Sequence, residues 1–276
     1  MRLDFGLTGK RAVVVGAGLG IGRDTALSLA EAGASVMCVD LVAERAEKVA
    51  GEVHEIGSTA ATFVGDVTDR VAVESLGAET VSALGGVDIV VDIVGLAYNV
   101  GVLEAADRSW DANFRLNLYH NFLVTQVFAR QMVKAGNGGS IVHIGSATGF
   151  LPHIGSLPYS AAKAALISMI QSSAVELAPH SIRVNGVAPG VIDTPRRNRE
   201  FTETSVAASL RNVPMQRFGT TQEIANVAVF LSSSLASYVS GQVYLVDGGA
   251  MAVGPFPSAL GNPVQAPLPA TDDATV

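Results

Sequence analysis

The chain has 276 residues, of which 49% are hydrophobic and 16% are charged, and its formal net charge at pH 7 is −7. This length and apolar content suit one large α/β domain with a substantial core, or two small domains. The negative charge argues against nucleic acid or an anionic membrane surface as the main partner. No apolar run is long enough for a membrane span, no signal peptide is recognisable, and the histidines lack metal-ligand spacing. We expect a soluble protein without a catalytic metal.

The only cysteine, Cys38, lies in the apolar run 35–39 and cannot form an internal disulfide. Buried packing is therefore favoured over a nucleophilic role for this thiol. A reducing compartment is the simplest location, which points to the cytoplasm.

A β-branched strand, predicted over residues 11–15, breaks into a glycine-rich turn and then into a helical pattern that stops at Gly33. Glycines let the backbone approach a pyrophosphate, and the start of the helix offers free N–H groups and a positive dipole end. Because strand, turn and helix occur in the right order, dinucleotide binding is favoured over a simple tight turn. The candidate cofactor-binding residues here are Gly16, Gly18, Gly20 and Ile21.

The next predicted strand, 34–39, is followed by Asp40, about twenty residues after the glycine turn. A carboxylate at this point can accept hydrogen bonds from the adenosine ribose, and it would repel the 2′-phosphate of NADP. The turn itself contains no lysine or arginine, and we expect Arg23 to be the only nearby cation. NAD is therefore predicted over NADP. The alternative is that Asp40 only ends a strand.

The rest of the chain alternates helices and strands. The predicted helices span 43–56, 70–84, 107–135, 157–177 and 221–233, and the predicted strands span 60–64, 87–91, 140–144, 182–187 and 243–246. This alternation predicts an α/β Rossmann fold, a doubly wound parallel sheet of about seven strands with helices on both faces. Ligands are expected at the carboxyl ends of the strands. We expect one domain over residues 1–250 and an extended or disordered proline-rich tail over 251–276.

Two polar residues stand out in this pattern. Asp66, followed by Val67, ends the third strand and could hydrogen-bond an adenine, or it could cap the next helix. Asn117 lies among apolar residues of the long helix 107–135, so we expect it to be buried and hydrogen-bonded.

Tyr159 and Lys163 lie four residues apart in the helix predicted over 157–177, so both emerge on one face. Ser156 and Pro158 suit the cap and first turn of that helix. A neighbouring ammonium favours the phenolate and lowers the pKa of a tyrosine. Lowering it by about two to three units requires about 3–4 kcal/mol, which Lys163 together with a second nearby cation could supply. In isolation the pair is weak support for catalysis.

In combination, these motifs resemble those of the short-chain dehydrogenase/reductase family over roughly residues 7–250. The matching residues are Gly16, Gly20, Ile21, Gly22, Asp40, Asp66, Val67, Asn117, Ser146, Tyr159, Lys163, Pro189, Gly190, Thr194, Ser240-Gly241-Gln242 and Asp247-Gly248-Gly249. The resemblance implies an NAD-dependent enzyme that interconverts a secondary alcohol and a ketone by hydride transfer, commonly as a homotetramer.

The resemblance also implies a role for each matching residue. Tyr159 would be the general acid/base, and Lys163 would lower its pKa and hold the nicotinamide ribose. Ser146 would hydrogen-bond the substrate oxygen, and Asn117 would fix a water that relays protons from Lys163. Further cofactor contacts would come from Val94, Gly95, Pro189, Gly190, Ile192 and Thr194. Oxidised nicotinamide would be the second cation that Tyr159 requires.

The sequence departs from the family pattern at two places. Val15 stands where the family usually has threonine, which removes one hydroxyl from the turn. Asp92-Ile93-Val94-Gly95 replaces the usual Asn-Asn-Ala-Gly, whose asparagines brace the sheet beside the cofactor. The second departure bears on local bracing and cofactor affinity, and not on the residues that transfer protons.

Apolar side chains flank the expected pocket and predict an apolar or aromatic substrate body. They are Leu96, Tyr98, Val100, Phe150, Leu151 and Ile154. His153, seven residues after Ser146, could border the substrate, whereas His143 in an apolar strand is more consistent with a core residue. Arg196, Arg197 and Arg199 could recognise an anionic group, although solvated charges on a mobile lid over 193–212 are favoured.

Two other functions remain open at this point. A 3-oxoacyl-thioester reductase of the same family would usually require NADPH, and Asp40 counts against it. A non-catalytic dinucleotide-binding sensor or scaffold is supported only by the altered segment 92–94. The intact set of Asn117, Ser146, Tyr159 and Lys163 argues against it.

Overall fold

A seven-stranded parallel sheet forms the centre of the molecule. The computed structural model describes residues 4–195, 206 and 209–252. The strands in this part of the chain are β1 (Arg11–Val15), β2 (Ser35–Asp40), β3 (Ala60–Val64), β4 (Ile89–Asp92), β5 (Gly139–Ile144), β6 (Ile182–Pro189), β7 (Ile192–Asp193), β8 (Gly219–Thr220) and β9 (Val243–Val246). The sheet order is β3-β2-β1-β4-β5-β6-β9, and β7 pairs with β8 in a separate short ladder. The predicted Rossmann fold is confirmed.

Helices cover both faces of this sheet. They are α1 (Ile21–Glu31), α2 (Ala43–Glu55), α3 (Arg70–Leu84), α4 (Asp107–Phe114), α5 (His120–Ala135), α6 (Leu157–Leu177) and α7 (Thr221–Ser232). One π-helical turn, Arg115–Tyr119, joins α4 to α5, so the predicted long helix is present with one interruption.

Successive residues of the strands point into two separate cores. Val14 of β1 packs with α1, α2 and α7 on one face, whereas Val13 and Val15 pack with α3, α5 and α6 on the other. Both faces are therefore dry, which explains why the strands are continuous apolar runs rather than alternating sequences.

The chain reverses its direction of travel across the sheet at β1. The units β1–α1–β2 and β2–α2–β3 build the sheet to one side of β1, and β4, β5, β6 and β9 extend it to the other side. The carboxyl ends of β1 and β4 therefore border a crevice, the place where open α/β sheets bind ligands. Among the described residues, no helix combines the length and the apolar character needed to cross a bilayer.

Several expectations concern residues outside the described part of the chain. They include the anion-binding role of Arg196, Arg197 and Arg199, most of the segment 193–212, and the tail beyond residue 252. The proposed domain boundary at residue 250 stays a prediction.

Candidate active site

The glycine turn lies at the carboxyl end of β1 and opens α1. The N–H groups of Gly16 and Ala17 donate to the carbonyl oxygen of Val39, at 2.9 and 2.8 Å. Gly16 has φ of 86° and Gly20 has φ of 56°, both in the region that favours glycine. No side chain caps α1, so the N–H groups of its first turn are available to an anion. The turn therefore fits a pyrophosphate.

Asp40, the last residue of β2, lies directly against this turn. Its Oδ2 accepts a hydrogen bond from the N–H of Gly18 at 3.1 Å, and its Oδ1 accepts one from Val42 at 2.9 Å. A Cβ atom on Gly18 would collide with the carboxylate. Gly18 thus makes room for an acid at the edge of the cofactor crevice.

Arg23, the cation that the sequence placed near this turn, is already paired with acidic residues. It forms ion pairs with Glu52 at 2.7 Å and Asp24 at 3.3 Å. A different arginine, Arg45 on α2, places its Cβ 2.6 Å from the position that a Cβ on Gly18 would occupy. The expectation that Arg23 is the only nearby cation is therefore wrong, because the fold brings α2 to the turn.

Asp66 forms a local turn after β3. Its Oδ1 accepts from the N–H of Thr68 at 2.9 Å, whereas Asp69 caps α3 by accepting from Val71 at 3.1 Å. The alternative that Asp66 caps the following helix is thus wrong, since Asp69 occupies the N-cap position. Val67 beside it is buried.

The segment after β4 passes close to both the turn and α6. Val94 places a methyl carbon 3.2 Å from the position of a Cβ on Gly16. A Cβ on Gly95 would lie 3.1 Å from Oδ1 of Asn117 and 3.2 Å from Nζ of Lys163. Gly95 therefore leaves space for two polar groups of the expected site.

Asn117 is fully buried within the π-helical turn. Its Oδ1 accepts from the N–H of Leu96 at 3.0 Å, and its Nδ2 donates to the carbonyls of Leu96 (2.8 Å) and Asn113 (3.0 Å). The prediction that it is buried and hydrogen-bonded is confirmed. Asn113, one turn earlier, forms matching bonds with the backbone of Tyr98 and was not recognised from the sequence.

Tyr159 and Lys163 lie in the first two turns of α6, with the Lys163 Nζ 5.9 Å from the centroid of the Tyr159 ring. Ser156 is the N-cap residue, and Pro158 lies in the first turn. The side chain of Ser156 does not cap the helix, however, because its Oγ donates to the carbonyl of His153 at 2.7 Å and lies 2.6 Å from the Oγ of Ser160.

The ionisation of Tyr159 differs from the sequence expectation. Burial raises the pKa of Tyr159 above its usual value, and hydrogen bonding with Ser146 only partly opposes this. Lys163 was expected to lower the pKa of Tyr159, and the protein chain by itself does not show this effect. The Lys163 ammonium instead donates to the carbonyl of Ile144 at 3.1 Å.

Lys163 is itself strongly affected by its surroundings, with only 2% of its surface exposed. Burial lowers its pKa from the usual 10.5 to about 8, with Asp92 acting in the opposite direction. An ammonium that titrates near neutral pH can exchange protons during a reaction.

The opposite wall of the crevice follows β6. Gly190, after Pro189, donates its N–H to Val246 at 3.0 Å, and Ile192 is almost fully buried in β7. A Cβ on Gly20 would lie 3.8 Å from Pro195, the residue after Thr194. The segment that is expected to hold the carboxamide therefore approaches the glycine turn.

Known proteins share both the sequence and this architecture. A family model described as enoyl-(acyl carrier protein) reductase matches residues 16–251. The 3-oxoacyl-(acyl-carrier-protein) reductase of Thermotoga maritima is 36% identical over 243 residues, which cover 88% of this chain and 98% of the relative. The chain belongs to the short-chain dehydrogenase/reductase family.

Solved structures agree with this assignment. A 7α-hydroxysteroid dehydrogenase complexed with NADH and 7-oxo glycochenodeoxycholic acid has a TM-score of 0.86 and 35% identity, covering 90% of this chain and 98% of that one. An Agrobacterium tumefaciens protein with bound NADP has a TM-score of 0.84 and 32% identity, covering 91% and 100%. This short-chain dehydrogenase/reductase is thus an oxidoreductase of CH–OH groups with a nicotinamide dinucleotide cofactor.

One feature of this short-chain dehydrogenase/reductase was not anticipated from the sequence. Asp92, the last residue of β4, is fully buried and is surrounded by His120, Asn121 and His143. These residues come from β4, α5 and β5, so no local spacing could have revealed the cluster. The one sequence feature that pointed to the cluster was Asp92 itself, an acidic residue at the end of an otherwise apolar strand.

The rim beside the candidate catalytic residues is apolar and exposed. Its exposed large apolar side chains are Tyr98, Val102, Leu103, Phe150, Leu151 and Ile154. Val100 forms a bridge to Ser156, which ties the loop after β4 to the start of α6. His153 is exposed on this rim, with its Nδ1 3.0 Å from the carbonyl of Ile154. The described residues contain no cluster of side chains that could hold a metal ion.

Proposed function

We propose that this chain is an NAD-dependent oxidoreductase that interconverts a secondary alcohol and a ketone by hydride transfer, with Tyr159 as the general acid/base. The observation that carries the proposal is the meeting of Ser146, Tyr159 and Lys163 beside the glycine turn. Ser146 opposes the rise in the pKa of Tyr159 that burial causes, and its own Oγ donates to Oγ1 of Thr148 at 3.0 Å. Lys163 donates to the carbonyl of Ile144 at the end of β5. These groups suit the transfer of one proton at a carbonyl or hydroxyl oxygen.

The nicotinamide, when bound, supplies or accepts the hydride. Tyr159 donates a proton to the substrate oxygen in reduction and accepts it in oxidation. Ser146 hydrogen-bonds the same oxygen and stabilises the charge that develops on it. Lys163 stabilises the phenolate form of Tyr159. Asn117 holds the backbone of Leu96 and keeps the wall beside Lys163 in place; a relay water at Asn117 is part of the proposal.

The preference for NAD rests on Asp40. Its carboxylate lies against Gly18, where it suits ribose hydroxyls and opposes a 2′-phosphate. Arg45 is the residue that could oppose this preference, since an arginine near the turn can accommodate a phosphate. We propose that Asp40 outweighs Arg45 in deciding the cofactor preference. Two backbone N–H groups hold the carboxylate of Asp40 at the turn, whereas Arg45 is exposed to water on α2. Asp66, Val67, Val94 and Gly95 complete the proposed cofactor site with Pro189, Gly190, Ile192 and Thr194.

The substrate is proposed to have an apolar or aromatic body. The exposed side chains of Tyr98, Phe150 and Ile154 lie on the two loops that flank the catalytic residues. Burying such surface on a ligand contributes about 25 cal/mol per Å². The similar 7α-hydroxysteroid dehydrogenase, solved with a steroid, agrees with a ligand of this kind.

We also propose that the protein is a cytoplasmic homotetramer. α4, the π-helical turn and α5 expose a band of aromatic side chains next to small residues of α6. The band comprises Trp110, Tyr119 and Phe122, and the small residues are Ala165, Ser168 and Ser172. Small side chains allow helices of two copies to approach closely. Light scattering coupled to size-exclusion chromatography tests this state directly.

A turnover screen tests the proposed function. Secondary alcohols and ketones, including steroids and 3-oxoacyl thioesters, are each combined with both nicotinamide cofactors, and absorbance of the reduced nicotinamide is followed. Turnover of an apolar alcohol or ketone with NAD(H) supports the proposal. Turnover confined to 3-oxoacyl thioesters with NADPH would establish the other reductase activity. Binding of the cofactors without turnover of any substrate would favour a sensor or scaffold.

A further inference from the structure

A group of fully buried polar side chains lies behind the candidate catalytic residues, at the end of β4. Asp92 ends this strand, and its Oδ2 accepts a hydrogen bond from Nδ2 of Asn121 at 2.8 Å. Among the described residues, the basic groups nearest to its carboxylate are two imidazoles. Nε2 of His120 lies 3.3 Å from Oδ1, and Nδ1 of His143 lies 3.6 Å from Oδ2. One buried carboxylate therefore faces two rings that can carry a positive charge.

Hydrogen bonds determine the state of His143. The Nδ2 of Asn121, which donates to Asp92, also lies 3.2 Å from Nδ1 of His143. An amide nitrogen only donates, so Nδ1 of His143 must accept and carries no hydrogen. The hydrogen of this ring is therefore on Nε2, which lies 2.9 Å from Oγ1 of Thr125. His143 is neutral and does not balance the charge of Asp92.

Four polar atoms of this buried group have no hydrogen-bond partner in the described part of the chain: Oδ1 of Asp92, Oδ1 of Asn121 and both ring nitrogens of His120. The two oxygens are acceptors when Asp92 is ionised. A neutral His120 would add one acceptor and one donor, which leaves three acceptors for a single hydrogen. A ring with a hydrogen on each nitrogen supplies two donors for two acceptors. Because unpaired polar groups are costly in a dry interior, the count favours a doubly protonated His120.

The same count would hold if the proton shared by the pair were on Asp92 and not on His120. An imidazole ordinarily binds a proton about two to three pH units more tightly than a carboxyl group does. Asn121 also donates to the carboxylate, which favours the ionised form of Asp92. Burial would raise the pKa of Asp92, but the facing rings, His120 above all, outweigh burial and hold that pKa well below its usual range. The ring is therefore the better place for the proton.

We propose that His120 is a positioning residue, a buried imidazolium that pairs with Asp92 and joins the end of β4 to the start of α5. Asp92 is followed by the segment that carries Gly95, and His120 follows the π-helical turn that carries Asn117. The ion pair fastens these two segments at one end, and the bonds between Asn117 and Leu96 fasten them at the other.

The consequence for catalysis rests on the proposed function, in which Gly95 and Asn117 form the wall beside Lys163. The charge of His120 does not rest on that function. It can be measured without substrate or cofactor.

The test observes the protonation of the buried histidine rings by NMR. The chain contains five histidines, of which His54, His153 and His180 are exposed. These three are replaced together by glutamine, and the protein is labelled with ¹⁵N-histidine, so that only the rings of His120 and His143 remain visible. Spectra are recorded at about pH 8, above the usual titration range of a free imidazole. An imidazolium shows two protonated nitrogens, whereas a neutral ring shows one protonated and one unprotonated nitrogen.

We expect one imidazolium and one neutral ring, with the neutral ring protonated on Nε2. An NOE from this Nε2 proton to the methyl group of Thr125 identifies the neutral ring as His143. Two neutral rings, two charged rings, or a charge on His143 would overturn the proposal. This reading decides the question even if no variant at position 92 or 120 folds.

Two further variants test the source of the charge. Asp92→Asn should convert the imidazolium of His120 into a neutral ring. Asp88→Asn should leave it charged, since Asp88 pairs with Arg11 at 2.7 Å before the start of β4 and so provides a matched loss of a carboxylate. A His120 ring that stays charged in a folded Asp92→Asn protein would overturn the pairing.

A double-mutant cycle separates a charge pair from mere packing. His120→Gln leaves Asp92 charged and unpaired, and Asp92→Asn leaves His120 without its counter-ion, so each change should lower the urea midpoint. The double variant has neither charge at this place, and we expect its midpoint to lie above that of His120→Gln. If the two side chains only fill space, their losses add and the double variant has the lowest midpoint. That result would overturn the proposal.

Turnover gives a further readout once the substrate screen has found a substrate. His120→Gln should lower kcat by about ten-fold, since a shift of about 1 Å in the site can cost more than that. Part of the rate should return in the double variant, and a double variant as slow as the single one would overturn the positioning role. A charged His120 in a protein that turns over no alcohol or ketone would refute the proposed function and leave this inference standing. Turnover by a protein whose His120 is neutral would do the reverse.

Discussion

Asn117 hydrogen-bonds both backbone groups of a single residue, Leu96, at 3.0 Å to its N–H and 2.8 Å to its carbonyl. The loop after β4 is thereby fixed to the helical segment 107–135 without forming a strand. Because Lys163 also lies close to Gly95, this contact fixes one wall of the candidate active site.

Loss of the Asn117 amide should destabilise the fold. Asn117→Ala leaves the N–H and carbonyl of Leu96 unpaired in a buried place, at a cost of about 2–4 kcal/mol. Urea denaturation measures this as a lower midpoint. Asn226 is an exposed asparagine on α7, so Asn226→Ala is the matched control and should change stability by less than about 0.5 kcal/mol. Equal effects of the two changes would contradict the buried role of Asn117.

Removing the phenol of Tyr159 should abolish proton transfer. Tyr159→Phe keeps the ring but not the hydroxyl, and we expect kcat to fall by about 10²–10⁴, the usual contribution of a general acid or base. Fluorescence titration with NADH should show binding close to that of the wild type. A variant with near wild-type rates would show that another group transfers the proton.

Asp40 and Arg45 should act on cofactor choice in opposite directions. Asp40→Ser removes the charge that opposes a 2′-phosphate, and we expect the preference for NAD over NADP to narrow by about ten-fold, or ~1.4 kcal/mol. Arg45→Ala should weaken the binding of NADP and leave the binding of NAD unchanged. The ratio of kcat/KM for the two cofactors measures both effects. An unchanged ratio in Asp40→Ser would remove the reason for assigning NAD.

Burial of Lys163 should make stability depend on pH. Its pKa is about 8 in the folded chain and near 10.5 when unfolded, so between these values the unfolded chain binds more protons. Stability therefore rises with pH across this window. The difference in unfolding free energy between the wild type and Lys163→Met should change by about 3 kcal/mol in favour of the wild type from pH 8 to 10.5. Denaturation curves at several pH values measure the difference, and a flat profile would show that the lysine is solvated.

Gly95 offers a variant that disturbs two groups of the candidate site at once. A methyl group on Gly95 would lie 3.1 Å from Oδ1 of Asn117 and 3.2 Å from Nζ of Lys163, so both side chains would have to shift by a few tenths of an ångström. We expect Gly95→Ala to lower kcat by about ten-fold, since a displacement of about 1 Å can cost more than that, and to lower the thermal midpoint as well, because Asn117 binds Leu96 through the same oxygen. Gly51 lies in the middle of α2 with no atom near its Cβ position, so Gly51→Ala should raise stability by about 0.5–1 kcal/mol and leave kcat unchanged.

Local patterns predicted most of the fold. The bounds of β1, β3, α3, α6 and β9 agree with those expected, and other elements of the sheet and helices differ by at most two residues. These segments have strong apolar periodicity and end at glycine, proline or acidic residues, so their limits depend on nearby sequence alone. The π-helical turn was missed because an extra residue in a helix leaves the apolar pattern almost intact.

Contacts across the sheet could not be predicted in the same way. Arg45 reaches Gly18 only because β1 and β2 are neighbours in register. Asp92 meets His120 and His143 through the packing of α5 on β4 and β5. The ionisation of Tyr159 depends on how deeply its phenol is buried, which a four-residue spacing does not reveal.

Asn113, Asn117 and Asn121 lie four residues apart on one continuous helical segment, and they bind Tyr98, Leu96 and Asp92 in turn. Asn113 and Asn117 therefore specify the path of the chain after β4 from the helix, through main-chain atoms of Tyr98 and Leu96 that every residue except proline possesses. The exposed side chains of Val102 and Leu103 form none of these bonds. An engineer could exchange them to change what the enzyme accepts, while Asn113 and Asn117 preserve the backbone beneath.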